Sequence, residues 1–305
     1  MVLMRISYSH AVIGKSVQYS IHEWSTGEPT GPLTPVLWLH GLGPQSGLNA
    51  ADFAEGLCAL GNYRVVAPDF PGYGGSEALP SDTYSAPSMA RAIIDNVVDA
   101  AQAPLQVIGH SWGAEVALFM VADRKNLVRS LVLLDGGYED WPPVPADEAM
   151  RDAIAFAGQC RFDSVESALD DVRADLHNWS PNIEKAYRSA LVERDGAITI
   201  RQRPETYAAI RMGGGAYPVS QTWRHLGDVP VLLAVPVTGR EHLPGPARTD
   251  PMAQNVKQLT ITRLENCGHL VPDDAGSRLS PVIHEWWQTL ADQPRSSVTV
   301  TGRAV

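Results

Sequence analysis

Short runs of hydrophobic residues alternate along this chain with longer stretches in which hydrophobic positions recur every three or four residues. Continuous hydrophobic runs are typical of strands buried on both faces, whereas the wider spacing is typical of amphipathic helices. The pattern predicts strands at residues 16–24, 35–40, 63–67, 105–108, 130–134, 231–235 and 258–264. It predicts helices at residues 49–60, 84–101, 115–122 and 278–290. This alternation indicates an α/β fold with a mostly parallel sheet and helices on both faces.

The alternation stops between residues 138 and 226, where no convincing buried strand occurs. Helical patterns in this part of the chain occupy residues 147–157, 164–176 and 183–192. The departure from the sheet is marked by Pro142, Pro143 and Pro145, and the return by Gly213, Gly214 and Gly215. We therefore interpret residues 1–137 and 227–305 as an α/β core and residues 138–226 as an inserted helical cap.

The composition limits the compartment and the partners. Of 305 residues, 44% are hydrophobic and the net charge is −10, which disfavours nucleic acid and anionic membranes because both are bound through clustered positive charge. No hydrophobic run approaches the roughly 18 residues of a membrane-spanning helix, and no secretory signal is evident. The widely separated Cys58, Cys160 and Cys267 are typical of small buried side chains in a reducing compartment. We expect a cytoplasmic monomer or homodimer that binds neither nucleic acid nor membrane.

One motif stands at a predicted strand-to-helix junction. The sequence Gly109-His110-Ser111-Trp112-Gly113 has the pattern G-x-S-x-G, directly after the strand at 105–108. A serine on such a sharp turn projects its hydroxyl clear of the sheet, and small flanking residues let the backbone close. We therefore predict Ser111 as a nucleophile. His110, inside the turn, is expected to pack sideways and not to reach the Ser111 hydroxyl.

A serine hydroxyl needs a base, and the base needs a carboxylate that orients it. His269 follows the last predicted strand, which places it at the same edge of the sheet as Ser111. Two carboxylates compete for the third role: Asp135, at the end of the strand at 130–134, and Glu241, after the strand at 231–235. We favour Asp135, because extra residues after Pro236 displace Glu241 from a short turn.

A developing oxyanion needs hydrogen-bond donors that are aimed at it in advance. The backbone amide of Trp112 is one candidate, and the amide of Leu42 in the sequence His40-Gly41-Leu42-Gly43 is the other. Gly41 lets the backbone turn toward the substrate. In this interpretation, His40 organises the loop and is not a base.

Together the HGLG loop, the segment PDFPGYGGS, the GHSWG turn and the chain order Ser111, Asp135, His269 resemble the α/β-hydrolase superfamily. The resemblance spans nearly the whole core. It implies an eight-stranded, mostly parallel sheet, a catalytic triad and a helical cap over the site. The chain departs from the usual pattern of the superfamily in the position of the acid, which many relatives carry after the strand that corresponds to residues 231–235. The chain looks more like relatives with the acid one strand after the nucleophile, among them some lactonases and esterases.

These observations predict a serine hydrolase that cleaves an apolar or aromatic carboxylic ester or lactone through an acyl-enzyme, without cofactor or metal. The alternative is a non-hydrolytic member of the same fold: a lyase, an acyltransferase or a ligand receptor. A dinucleotide-binding oxidoreductase is less favoured, because the glycines after residue 40 are spaced G-x-G-x-x-x-G and Pro44 removes an amide donor.

Overall fold

The computed structural model describes residues 5–12, 17–98, 104–237 and 246–292. The strands are β1 (Arg5–Val12), β2 (Gln18–Ser25), β3 (Thr34–Leu39), β4 (Tyr63–Pro68), β5 (Leu105–His110), β6 (Val128–Leu134), β7 (Arg161–Phe162), β8 (Leu191–Arg194), β9 (Ala197–Ile200), β10 (Val231–Pro236) and β11 (Leu259–Leu264). The helices are α1 (Ala51–Leu60), α2 (Ala86–Asn96), α3 (Trp112–Arg124), α4 (Ala146–Gln159), α5 (Val165–Asp175), α6 (Pro181–Ala190), α7 (Pro204–Ala216), α8 (Ser220–Trp223), α9 (Pro246–Asn255) and α10 (Val271–Asp292). Short 3-10 helices cover Gly47–Ala50, Ser81–Thr83 and Lys125–Leu127. None of these described helices combines the length and apolarity needed to cross a membrane.

Eight strands form one sheet in the order β1-β2-β4-β3-β5-β6-β10-β11. Strand β2 runs antiparallel to β1 and β4, and the remaining pairs are parallel. The predicted fold class, a mostly parallel eight-stranded sheet with helices, is therefore confirmed. In the register of the central strands, Leu39 of β3 pairs with Gly109 of β5, and His110 of β5 pairs with Leu134 of β6. The loops after these three strands consequently meet at one edge of the sheet.

The sheet is covered on both faces, which explains why its strands are hydrophobic throughout. Consecutive residues of β5 lie on opposite sides: Val107 packs in the core beneath α2 and α3, and Ile108 packs in the core beneath α1 and α10. Both side chains are fully buried. Helix α10 bends at Gly276, where the backbone leaves helical geometry (φ 4°, ψ −96°), and it begins seven residues before the predicted helix.

The chain between β6 and β10 carries helices α4 to α8 and, in addition, a small antiparallel sheet in the order β7-β9-β8. These strands were not predicted, and the helix predicted to reach residue 192 ends at Ala190. Strands of two to four residues contain too few alternating positions to be detected by pattern. The turn between β8 and β9 does carry a signal: Asp195 and Gly196 both have positive φ, as a two-residue hairpin requires.

The three glycines that were expected near the return to the core lie inside α7. Each faces a close neighbour. A Cβ on Gly213 would lie 3.0 Å from the Ser85 Cα, and one on Gly214 would lie 2.9 Å from the Trp141 ring. The glycines thus allow α7 to approach both the start of α2 and the chain that leaves β6. Of the three cysteines, Cys58 and Cys267 are buried as expected, but Cys160 is only half-buried.

Candidate active site

Ser111 occupies the turn between β5 and α3 in a conformation that L-residues rarely adopt (φ 52°, ψ −121°). The turn depends on both flanking glycines. A Cβ on Gly109 would lie 2.4 Å from the Gly113 carbonyl oxygen, and a Cβ on Gly113 would lie 2.3 Å from the Leu39 carbonyl oxygen. The Ser111 N–H donates to the Leu134 carbonyl oxygen at 2.9 Å. The serine is therefore fixed at the end of the central strands, as G-x-S-x-G predicts.

His269 and Asp135 lie in line with this serine. The Nε2 of His269 is 3.0 Å from the Ser111 Oγ, and its Nδ1 is 2.7 Å from the Asp135 Oδ2. The other oxygen of Asp135 accepts a hydrogen bond from the Tyr138 hydroxyl at 2.7 Å. Burial by itself would raise the pKa of Asp135, but the hydrogen bonds from His269 and Tyr138 hold that pKa below its usual value. Asp135 is consequently an ionised acceptor for the imidazole at neutral pH.

The backbone of Asp135 is also strained (φ 43°), and its N–H donates to the Ala234 carbonyl oxygen at 2.9 Å. The competing Glu241 lies outside the described residues. Among the described residues, Asp135 is the acidic side chain that contacts His269. Sequence reasoning therefore named the three residues that the structure brings together, and it missed Tyr138.

His110 does not contact the Ser111 hydroxyl. Its Nε2–H instead donates to the backbone carbonyl oxygen of His269 at 2.7 Å, and the two rings lie 5.3 Å apart. Burial lowers the pKa of His110 to about 3, so the ring is uncharged at neutral pH. The expected sideways packing of His110 thus has a specific consequence, because the ring holds the loop that carries His269.

His40 ties the loop after β3 to the next glycine-rich loop. Its Nδ1–H donates to the Gly41 carbonyl oxygen at 2.8 Å, and its Nε2 accepts from the Phe70 N–H at 2.9 Å. With one ring nitrogen donating and the other accepting, the imidazole is neutral, and burial lowers its pKa to about 4. This arrangement fits the expected organising role and leaves His40 without contact to Ser111.

The loop after β3 lies directly against the serine. A Cβ on Gly41 would lie 3.2 Å from the Ser111 Cβ and 2.9 Å from the His110 Nδ1, so a larger residue at this position would displace one of them. Leu42, next in the chain, lines the cavity beside the serine. Trp112 is buried, with its ring 4.8 Å from that of Phe70. As the first residue of α3, Trp112 has a backbone N–H that lacks an acceptor within the helix.

A cavity of about 700 Å³ opens over the serine. Its apolar wall includes three aromatic residues from the chain between β6 and β10, namely Trp141, Phe156 and Tyr207. Its other wall residues include Leu42, Pro44, Pro236 and Leu270. Sequence reasoning included all three aromatic residues in a larger set that could line the pocket. It did not foresee Glu115, Glu139 and Arg248, which also line the cavity. In the described ranges, no group of three or more His, Cys, Asp or Glu side chains could hold a metal ion.

The fold and this site define a class of protein: an α/β protein with a strained serine after its central strand, beside a histidine and a carboxylate. Residues 36–281 match the alpha/beta hydrolase family. The chain therefore belongs to that family of enzymes, and the predicted membership is confirmed.

Several known proteins resemble the chain over most of its length. A soluble epoxide hydrolase from a Corynebacterium species is 29% identical over 261 residues, which cover 79% of this chain and 85% of the relative. The (E)-2-((N-methylformamido)methylene)succinate hydrolase of Acinetobacter baylyi is 24% identical over 285 residues, covering 91% and 99% respectively. Among solved structures, a thioesterase domain from the curacin biosynthetic pathway superposes with a TM-score of 0.69 at 20% identity, covering 92% of this chain and 99% of that domain. The last similarity concerns the fold alone.

Proposed function

We propose that the chain is a serine hydrolase that cleaves a carboxylic ester or lactone through an acyl-enzyme intermediate. The observation that carries this proposal is the continuous line from the Ser111 Oγ through His269 to the Asp135 carboxylate, at 3.0 and 2.7 Å. Each distance is within hydrogen-bond reach, which a nucleophile and its base require. The site also opens into a cavity that is large enough for a small organic molecule.

The reaction has two halves. In the first, the Ser111 Oγ attacks the carbonyl carbon while the His269 Nε2 takes the hydroxyl proton, and the same nitrogen then protonates the leaving alkoxide oxygen. In the second, His269 takes a proton from water, whose oxygen attacks the acyl carbon, and then gives that proton to the Ser111 Oγ as the acyl–oxygen bond breaks and the acid is released. Asp135 keeps the Nδ1–H of His269 in place and stabilises the imidazolium in both halves.

The oxyanion that forms on the attacked carbonyl needs preorganised donors. We assign this role to the backbone amides of Leu42 and Trp112. Two observations support the assignment: the loop that contains Leu42 lies against Ser111 because Gly41 has no side chain, and Trp112 starts a helix whose N-terminus favours negative charge.

An ester fits the chemistry of this nucleophile better than an epoxide, although one relative is named as an epoxide hydrolase. A serine oxygen that opened an epoxide would become an ether, and an ether has no carbonyl carbon for water to attack. An acyl-serine, by contrast, is released by water that the same histidine activates. The apolar and aromatic cavity wall supports an apolar or aromatic acyl group as the substrate.

The test is a hydrolysis panel of simple esters, lactones and amides with wild-type protein, Ser111→Ala and His269→Ala. We expect turnover of esters or lactones, and a loss of about a thousandfold or more in each variant. Near-normal turnover in either variant would contradict the mechanism. Labelling of Ser111 by a fluorophosphonate without turnover of any substrate in the panel would favour the non-hydrolytic alternative.

The identity of the acid is tested separately with Asp135→Ala and Glu241→Ala. We expect a large loss of kcat in Asp135→Ala, because the histidine loses the group that orients it. Glu241→Ala should keep kcat within a few-fold of the wild-type value. The reverse order of losses would assign the acid to Glu241.

A further inference from the structure

The mechanism leaves unused one carboxyl group that is both buried and part of the cavity wall. Glu115 is 3% exposed, yet its side chain lines the cavity above Ser111. Ser111 immediately precedes α3 and Glu115 follows it by four residues, about one helical turn or ~5.4 Å along the axis, and both residues line the same cavity. Side chains of a helix tilt toward its N-terminus, which directs this carboxyl toward the reacting serine.

The environment of Glu115 keeps its carboxyl uncharged at neutral pH. Burial raises its pKa to about 8, the hydrogen bond from the Trp141 side chain lowers it, and the negative charge of Asp140 raises it further. Cationic groups nearby are engaged elsewhere. Arg211 of α7 lies over the Trp141 ring at 5.1 Å and faces Asp152, while Arg248 of α9 pairs with Glu139. Asp135 and His269, which also line the cavity, pair with each other.

A neutral carboxyl group has one O–H donor and retains acceptor capacity. The Trp141 indole N–H, which lines the same cavity, can only donate, so it competes for the acceptor sites of Glu115 and not for its proton. The carboxyl O–H is then available to a group in the cavity, where the neighbouring wall is formed by the rings of Phe156 and Tyr207. A buried donor that meets no acceptor is costly, which favours a bound molecule that supplies one.

We propose that Glu115 is a specificity-determining residue that donates a hydrogen bond to an uncharged oxygen on the acyl chain of the substrate, about four bonds from the scissile carbonyl. This inference rests on the proposed ester hydrolysis and names its substrate class: acyl groups with a keto, ester or ether oxygen at that distance. The spacing follows from the one helical turn between Ser111 and Glu115. A carboxylate anion on the substrate would not gain from this donor once it had to enter a cavity that already holds Glu139.

The experiment compares two p-nitrophenyl esters that differ in one oxygen, the 4-oxopentanoate and the pentanoate, with enzyme-free blanks subtracted. The measured quantity is the ratio of their kcat/KM values at pH 6.5 and 9. Wild-type protein should prefer the oxo ester by about fivefold at pH 6.5, the size of one neutral hydrogen bond. That preference should shrink at pH 9, because Glu115 then loses the proton that it donates.

Three variants separate the donor from the charge. Glu115→Gln keeps a donor and should keep the preference at both pH values, whereas Glu115→Leu should lose it at both. Asp123→Asn removes an exposed carboxylate at the far end of α3, outside the cavity, and should leave the ratio as in the wild type. Pentanoate turnover with no oxo preference in the wild type, or an unchanged preference in Glu115→Leu, would overturn the inference and leave the proposed hydrolase intact. Absence of turnover of either ester, with normal folding, would count against both.

Discussion

Ser111, the proposed nucleophile, has a strained backbone. Its flanking glycines let the backbone pass close to neighbouring carbonyl groups, and its N–H donates to the Leu134 carbonyl oxygen. Such a conformation costs a non-glycine residue about 1–3 kcal/mol. The cost is accepted because it lifts the hydroxyl to a position 3.0 Å from His269. The proposed nucleophile is therefore also a site of reduced stability.

The strain at Ser111 predicts a difference between two variants that both lack the hydroxyl. Ser111→Gly should be more stable to unfolding than Ser111→Ala by about 1 kcal/mol, because glycine adopts this φ without strain. The larger conformational entropy of glycine in the unfolded chain offsets only part of this stabilisation. Urea unfolding midpoints with equal slopes would measure the difference. Equal stability of the two variants would mean that the backbone at residue 111 is unstrained.

The residues at the centre of the site were predictable because each follows a strand in a recognisable motif. Ser111, Asp135 and His269 lie at strand ends, and parallel strands end at the same edge of a sheet. Glu115 and Tyr138 were not predictable in the same way. A glutamate in the first turn of a helix is ordinarily exposed and stabilises the helix dipole. In the structure Glu115 is buried and shares the cavity with Trp141, which comes from the chain after β6.

At the level of elements, α7 shows that helix propensity and packing can conflict. Its three consecutive glycines lower the intrinsic stability of the helix. In exchange, α7 lies close to Ser85, Trp141 and Pro143, where added side chains would collide. The sequence analysis took these glycines as the mark of the return to the core, because glycines in succession ordinarily end a helix. Only the three-dimensional contact explains why a helix continues through them.

This conflict predicts opposite effects of one substitution in two helices. Gly158→Ala in α4 should stabilise the protein by about 0.5–1 kcal/mol, because a Cβ there meets nothing within 4 Å and alanine is the better helix former. Gly214→Ala in α7 should destabilise it by about 1–3 kcal/mol, because its Cβ would lie 2.9 Å from the Trp141 ring.

Denaturant titrations of both variants beside the wild type measure these effects. Stabilisation by Gly214→Ala would show that Trp141 moves aside without cost. In that case the cavity wall should shift as well, and the relative rates on short and long acyl esters should change. Gly158→Ala adds a Cβ that meets no neighbour within 4 Å, so it should leave those relative rates unaltered.

At the scale of the whole molecule, two acidic residues at the N-terminus of α10, Asp273 and Asp274, hydrogen-bond to loops beside the eight-stranded sheet and also to the chain between β6 and β10. Asp273 is fully buried and accepts hydrogen bonds from Asn49 at 2.8 Å and from Tyr187 of α6 at 2.8 Å. Asp274 accepts from the backbone N–H of Gly268, next to His269, at 2.7 Å, and from that of His177 at 2.7 Å. The position of the loop that carries His269 is thus coupled to the chain between β6 and β10. No local pattern in the sequence indicates this coupling, because its members are separated by up to 228 residues, as in the 3.3 Å contact of Gln45 with Asp273.

The buried carboxyl of Asp273 predicts a pH dependence of stability that a single variant can isolate. Burial raises its pKa to about 6, so the folded protein retains a proton that the unfolded chain, with a pKa near ~3.9, has already lost. The stabilisation from this group is complete below about pH 4 and is lost as the pH rises through about 6.

The variant Asp273→Asn removes this titration but keeps the shape of the side chain. Carboxylates with lowered pKa values, such as Asp135, make the free energy of unfolding rise with pH. They do so equally in the wild type and in Asp273→Asn, so their effect is absent from the difference between the two proteins. Urea unfolding at pH 4.5 and 7.5 should therefore show the wild type losing about 2 kcal/mol relative to Asp273→Asn over this interval. A stability difference between the two proteins that stays constant with pH would mean that Asp273 is ionised throughout, and that the hydrogen bonds from Asn49 and Tyr187 compensate fully for its burial.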